Sequence, residues 1–485
     1  MLIRGATLEF EPVRADVRVR GDRIVEIASH LAPEIDEPVI EAHGAALFPG
    51  LHDHHLHLYA TAAAMRSIAC GPPQVRDPAQ LAYAIASAPA TADGWLRGTA
   101  YHESVAGELD RVQLDAMAPE RPLRLQHRSG RLWMFNSPGL RRLGVSDEGL
   151  DGDPMERVDG RLTGRLYDGD TWMRTRLGDT SQRPGLRTLS CELARRGVTG
   201  ITDTSHSNDR ATFADFAGRD DLFQHCVVMG DATLDALASQ TRGRRVQVGA
   251  HKFHLHDHAL PDFEALCGAI RRSHASGRDA AFHCVTRAEL VYALAALEQA
   301  GSSGRDRIEH AGIAPPELLD EMARLAVRVV TQPHFISERG DDYRRDVAPE
   351  DRHFLYRLRS LLDAGIPLAG GSDAPYGGLD PWQAMAAAMR RRTHGGHVIG
   401  ETERLEPEQA LGLYLAPLED PGAAPRRIRV GAQADLCLLD RSWIDARTAL
   451  DQVQVRATWI AGRLFIDGEP EPDLTHGAAE VLRKQ

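Results

Sequence analysis

Eight short apolar runs punctuate the middle of the chain, near residues 51–58, 199–203, 223–229, 251–256, 280–284, 307–310, 328–332 and 367–372. Longer amphipathic stretches intervene. In Glu289 to Ala300, for example, Leu290, Ala293, Leu294 and Leu297 are spaced to share one helix face. A strand that alternates with a helix needs a parallel neighbour and a crossover. Eight such units are what closes a (β/α)8 barrel, so the chain is read as α/β with a TIM barrel over 51–424.

Two regions fall outside that pattern. The first and second runs are separated by about 140 residues, far more than a crossover needs. The interval, about 60–185, is expected to be a cap inserted after strand 1, with Trp95, Tyr101, Trp133, Phe135, Tyr167 and Trp172 as its aromatic residues. The chain ends read as short strands: Val17-Arg18-Val19-Arg20 and Ile24-Val25-Glu26-Ile27 flank a Gly21-Asp22 turn, and Asp435–Leu439, Ala457–Ile460 and Leu464–Ile466 are similar. Residues 1–50 and 425–485 are therefore expected to meet in a small β-sandwich domain formed by both termini.

Composition removes several functions. With 57 basic and 69 acidic residues the formal net charge is −12, which would repel a nucleic-acid backbone. No apolar run approaches the roughly 20 residues that span a bilayer, and the first residues lack the pattern of a secretory signal. Six scattered cysteines without a CxxC pair indicate neither a disulfide scaffold nor a zinc knuckle. The expected location is the cytoplasm, and the default assembly is a homodimer.

The strongest local signal is Pro49-Gly50-Leu51-His52-Asp53-His54-His55-Leu56-His57. Alternate side chains of a strand share a face, so His55 and His57 can bind one metal ion together, with Asp53 behind them as an acceptor. Further candidates end later strands, where barrel enzymes place their chemistry: His283, His310 and Asp373. In the run His251–His258, Lys252, His254 and His256 share parity. A bare ammonium would be repelled by metal ions, but a lysine of depressed pKa can take up CO2, and its carbamate can bridge two cations. An ion pair between Lys252 and a carboxylate suits the position equally well.

Taken together these motifs resemble the amidohydrolase superfamily, in the amidohydrolase-3 group of YtcJ-like proteins and N-substituted formamide deformylases. The residues that carry the resemblance are the Pro-Gly…Asp-x-His-x-His run, Lys252, His283, Arg307-Ile308-Glu309-His310, Gln332-Pro333, Gly371-Ser372-Asp373-Ala374-Pro375 and Gly431…Ala434-Asp435-Leu436, in order across nearly the whole chain. The resemblance implies a two-metal centre held by His55, His57, Lys252 as carbamate, His283, His310 and Asp373. Zinc is its first choice of ion, with Mn, Fe or Co suiting the same ligands. Three departures stand out. His283-Cys284-Val285-Thr286-Arg287 replaces His-Ala-x-Gly-Asp, Ser129-Gly130-Arg131 replaces Asp-Gly-His, and Leu166-Tyr167-Asp168 replaces Leu-x-Glu.

The implied activity is hydrolysis of an amide or related C–N bond of a small molecule, with a metal-bridging hydroxide as nucleophile and Asp373 as general acid and base. Arg131 and Arg287, with Arg165, are candidates for gripping a substrate carboxylate, and Trp133 and Tyr167 for lining the pocket. Two alternatives stand beside this reading: a lactone or ester hydrolase on the same centre, and a binding protein without catalysis. A deaminase is disfavoured, because Thr286 stands where such enzymes place a glutamate.

Overall fold

The computed structural model describes residues 1–72, 74–91, 93–147, 153–177 and 183–471. The described residues form two compact units, one of 1–58 with 186 onward and one of 59–185.

In the first unit the barrel strands are β1 (Leu51–Leu56), β2 (Val198–Asp203), β3 (His225–Gly230), β4 (Val246–Phe253), β5 (Ala280–Cys284), β6 (Arg307–His310), β7 (Arg328–Thr331) and β8 (Leu368–Gly370). They lie side by side in sequence order, each pair parallel. The ring is drawn together past the end of β8. There the Asp373 N–H donates to the His55 carbonyl at 2.7 Å and the His57 N–H to the Ala374 carbonyl at 2.9 Å. Gly371 permits this approach: a Cβ there would stand 2.7 Å from the His55 nitrogen and 2.9 Å from its Cα. Helices cover the outside. Arg287–Ala300 starts at a Thr286 N-cap with a Glu289 capping box, and buries Leu290, Ala293, Leu294 and Leu297.

Both chain ends join one nine-stranded sheet. Arg14–Arg20 and Arg23–Ala28 pair as a hairpin, and Ala46–Pro49 lies antiparallel to Leu436–Leu439. The sheet gathers Ile3, Val17, Ile24, Leu47, Leu438, Trp459 and Leu464 into one apolar cluster. Pro49 ends that sheet, and after Gly50 the chain enters β1. A side chain at Gly50 would meet Thr199, whose Cγ2 stands 2.2 Å from the Cβ position.

The second unit carries its own six-stranded sheet and its own cores, one of them built from Trp95, Trp133, Phe135 and Leu166. Among the described residues no helix is long and apolar enough to cross a membrane.

Candidate metal centre

His55 ends β1 but for one residue, and His57 lies just beyond the strand. Their Nε2 atoms stand 3.3 and 3.2 Å from the same Oδ1 of Asp373. One donor atom from each of the three residues fits within 4.8 Å of the others, close enough to hold one cation. Asp373 is buried, and its φ of 52° is in the left-handed region, which Asp adopts more readily than most side chains. Burial pushes its carboxyl up, but His55 and His57 outweigh it and keep the pKa well below the usual range.

The second half of the cluster adjoins the first. The His310 ring lies 4.8 Å from that of His55 and 4.6 Å from that of His283, between centroids. Nε2 of His310 faces Nδ1 of His283 at 3.0 Å. His310 donates from Nδ1 to the Gln332 side-chain amide oxygen Oε1 at 2.7 Å, so its Nε2 carries the lone pair in the neutral ring. Burial holds both rings neutral, with His283 well below its ordinary pKa and His310 down to about 3. The φ of His310 is 71°. That turn breaks strand alternation, so that neighbouring Glu309 and His310 both reach His55.

Each first-half histidine also has a partner behind it. His55 donates from Nδ1 to Glu309 Oε2 at 2.6 Å, and Nδ1 of His57 pairs with Ser205 Oγ at 2.9 Å. Glu309 is fully buried and receives Arg307 through Nε at 2.9 Å and Nη2 at 3.2 Å. Burial alone would raise its pKa; the Arg307 guanidinium leads in holding it well below the usual value. Asp53 has a different part from the one expected. Its Oδ1 accepts the backbone N–H groups of His55 (3.1 Å) and Ser372 (2.9 Å), fastening β1 to the segment after β8.

Lys252 stands one residue from the end of β4. Its Nζ is buried with no hydrogen-bond partner. Burial, with Arg307 adding, lowers its pKa against the pull of Glu309. An ammonium without an acceptor is costly in such a place. The position therefore suits a neutral amine, or an anion built on it, within electrostatic reach of His283 and His310. The strand begins five residues earlier than the sequence suggests and stops at Phe253, so His254 and His256 are not strand partners of Lys252. They lie on the following loop, with the His254 ring 4.6 Å from His283 and 4.7 Å from His206.

The remaining candidates are engaged elsewhere. Arg131 makes a two-pronged ion pair with Asp168, through Nε at 2.8 Å and Nη2 at 2.6 Å. Two of the sequence departures are thus each other's partner. Trp133 is buried in the core of the second unit and donates to Asp170 at 3.0 Å, whereas Tyr167 is exposed. Arg287 is ion-paired with Asp351. Thr286, in place of a deaminase glutamate, spends its hydroxyl on capping the helix. Glu309, Ser205 and Gln332 were not foreseen as partners of the histidines. Glu309 and Gln332 stand inside recognised motifs, but only the fold reveals what each one touches.

A parallel eight-stranded barrel with a histidine–aspartate cluster at the C-terminal ends of its strands defines a barrel enzyme with a divalent-metal site. The chain belongs to the amidohydrolase family, whose model matches residues 38–466, and it is accordingly a hydrolase. An N-substituted formamide deformylase of Arthrobacter pascens is 26% identical, over 92% of this chain and 94% of the relative. The YtcJ protein of Bacillus subtilis is 25% identical over 90% and 91%. Among solved structures, a metal-dependent hydrolase of Pyrococcus horikoshii has the same fold, with a TM-score of 0.72 at 19% identity over 91% of this chain and 97% of that one.

Proposed function

We propose that this protein hydrolyses an amide or related C–N bond of a small molecule, using two divalent metal ions. The observation that carries the reading is the convergence of His55, His57 and Asp373 with the adjoining His283–His310 pair, together with a buried lysine amine that has no hydrogen-bond partner and lies within electrostatic reach of Asp373, His283 and His310. The six residues, with Lys252 as a carbamate, would hold the ions, zinc being the first candidate. Ions held there would supply activation of water near neutral pH and Lewis-acid polarisation of a carbonyl.

The protein's own groups do the rest. Asp373 accepts the proton of the attacking water and returns it to the leaving nitrogen. Its low pKa keeps it ready as the acceptor. Glu309 and Gln332 fix the ring orientations of His55 and His310, and burial keeps His283 and His310 in the neutral form that ligation needs. The names of the deformylase and of YtcJ agree with C–N hydrolysis.

The test is metal content per chain by elemental mass spectrometry, for wild type and Lys252→Ala prepared with bicarbonate and without chelator. About two ions falling to one or none in the variant is the expected result. One ion in both proteins removes Lys252 from the centre. In the same preparations Asp373→Asn should fold normally yet lose at least about 100-fold in kcat; an active Asp373→Asn enzyme overturns the assigned acid–base role.

A further inference from the structure

The arginines that the sequence offers as carboxylate grips are already neutralised: Arg131 by Asp168, Arg165 by Glu156 and Glu108, and Arg287 by Asp351. Arg339 is not. It lies in the helix Phe335–Asp346 that follows β7, and it makes no ion pair among the described residues. Its guanidinium lies over the Phe335 ring, 4.1 Å from the centroid, and Nη2 donates to the backbone carbonyl of Tyr376. Tyr356 packs edge-on against the same Phe335.

This guanidinium is close to the centre. The Tyr376 N–H donates to the Asp373 carbonyl at 2.8 Å, and the Tyr376 ring meets that of His57 edge-on at 5.5 Å. Arg339 thus grips the turn that carries Asp373 and lies within electrostatic reach of Asp373 itself. Neither nearby carboxylate is its partner. Glu338 Oε1 accepts the Gly378 N–H at 3.1 Å, and Asp373 Oδ1 is turned to His55 and His57. A guanidinium has five N–H donors in a planar fork. Half-buried and stacked on Phe335, this guanidinium gives a hydrogen bond to the Tyr376 carbonyl and leaves its other donors to an incoming acceptor. The matching arrival is a planar anion, which the fork receives through two parallel hydrogen bonds.

We infer that Arg339 binds a carboxylate carried by the substrate, so that the enzyme selects acid-bearing amides over neutral ones. The inference rests on the C–N hydrolase reading of the same site and names the substrate class for it.

The test uses matched probes: racemic N-formylalanine and N-formylphenylalanine against their decarboxylated counterparts, N-formylethylamine and N-formylphenethylamine. Binding is measured by calorimetry on full-length Asp373→Asn protein whose metal content per chain has been shown equal to that of wild type, and which should turn the probes over at least about 100-fold more slowly. The acidic member of at least one pair should bind ten- to a hundred-fold more tightly. Adding Arg339→Gln should bring that ratio to about one, and adding Arg339→Lys should leave it between the two, because the charge remains and the fork is lost. If the Gln variant does not fold, the Lys variant decides alone. Equal binding within both pairs, no binding of either acid, or a preference that survives substitution overturns the inference. Equal weakening of both members does so too, because it would mean that Arg339 only holds the Tyr376 turn. Wild-type turnover separates the two readings. Metal-dependent hydrolysis without acid preference leaves the hydrolase standing and removes the anion site; acid preference without hydrolysis of any amide does the reverse.

Discussion

At the scale of single residues, the centre depends on groups that never touch substrate. Glu309 sits at zero exposure between Arg307 and the Nδ1 of His55. A carboxylate is a stronger acceptor than an amide, so it keeps the His55 proton on Nδ1 and the lone pair on Nε2. Glu309→Gln is therefore expected to fold but to bind metal about 10- to 100-fold more weakly, as read by competition against a chelator. An unchanged affinity would show that the buried carboxylate serves only Arg307. Sequence inspection finds Glu309 within Arg307-Ile308-Glu309-His310 but cannot reveal this contact, because alternation puts adjacent side chains on opposite faces. The positive φ of His310 removes that restriction.

At the scale of elements, the informative join is the one between β1 and the segment after β8. Both backbone N–H groups bound by Asp53 are buried, and that carboxylate reaches both. Asp53→Ala should cost roughly 1–3 kcal/mol for each N–H left without a partner. Asp53→Asn, which keeps the accepting oxygen, should cost clearly less. Urea denaturation of the two variants compares them; equal losses would mean that charge rather than hydrogen bonding holds the join. The β4 strand shows where pattern reading fails. In Val246-Gln247-Val248-Gly249-Ala250-His251-Lys252-Phe253 the apolar signal is interrupted by Gln and Gly, while the histidines after it imitate alternation. The strand lies where pairing with β3 and β5 places it, and this moves His254 and His256 onto a loop.

At the scale of the whole molecule, histidine burial sets the response to acid. His52, His54, His251, His254, His283 and His310 all have lowered pKa values, chiefly through burial, with His251 near 4 and His310 near 3. His55 and His274 are raised, each through neighbouring carboxylates that outweigh burial. In the unfolded chain these rings titrate near 6.5. Between about pH 6.5 and 4 the unfolded chain therefore binds more protons than the native one, and stability falls as pH falls. His55 and His274 oppose this trend, since their stabilising share is present below 6.5 and is lost as pH rises through their folded values. The urea midpoint of metal-free protein should drop between pH 7 and pH 5, and a flat or rising midpoint on acidification would contradict the assignment of neutral buried rings.

The amino-acid sequence alone determined that this is an eight-unit barrel with an insertion after its first strand and β-rich ends. It also picked out the histidines, lysine and aspartate that could serve one centre. Those features are legible because hydrophobic period and motif spacing are local properties of a chain. The tertiary structure decided what each of those residues touches: Glu309 behind His55, Gln332 behind His310, Asp168 against Arg131, and Arg339 without a carboxylate. Contacts of that kind depend on which strand ends meet around a closed barrel and on the few non-glycine residues forced to positive φ. Neither is written in local periodicity.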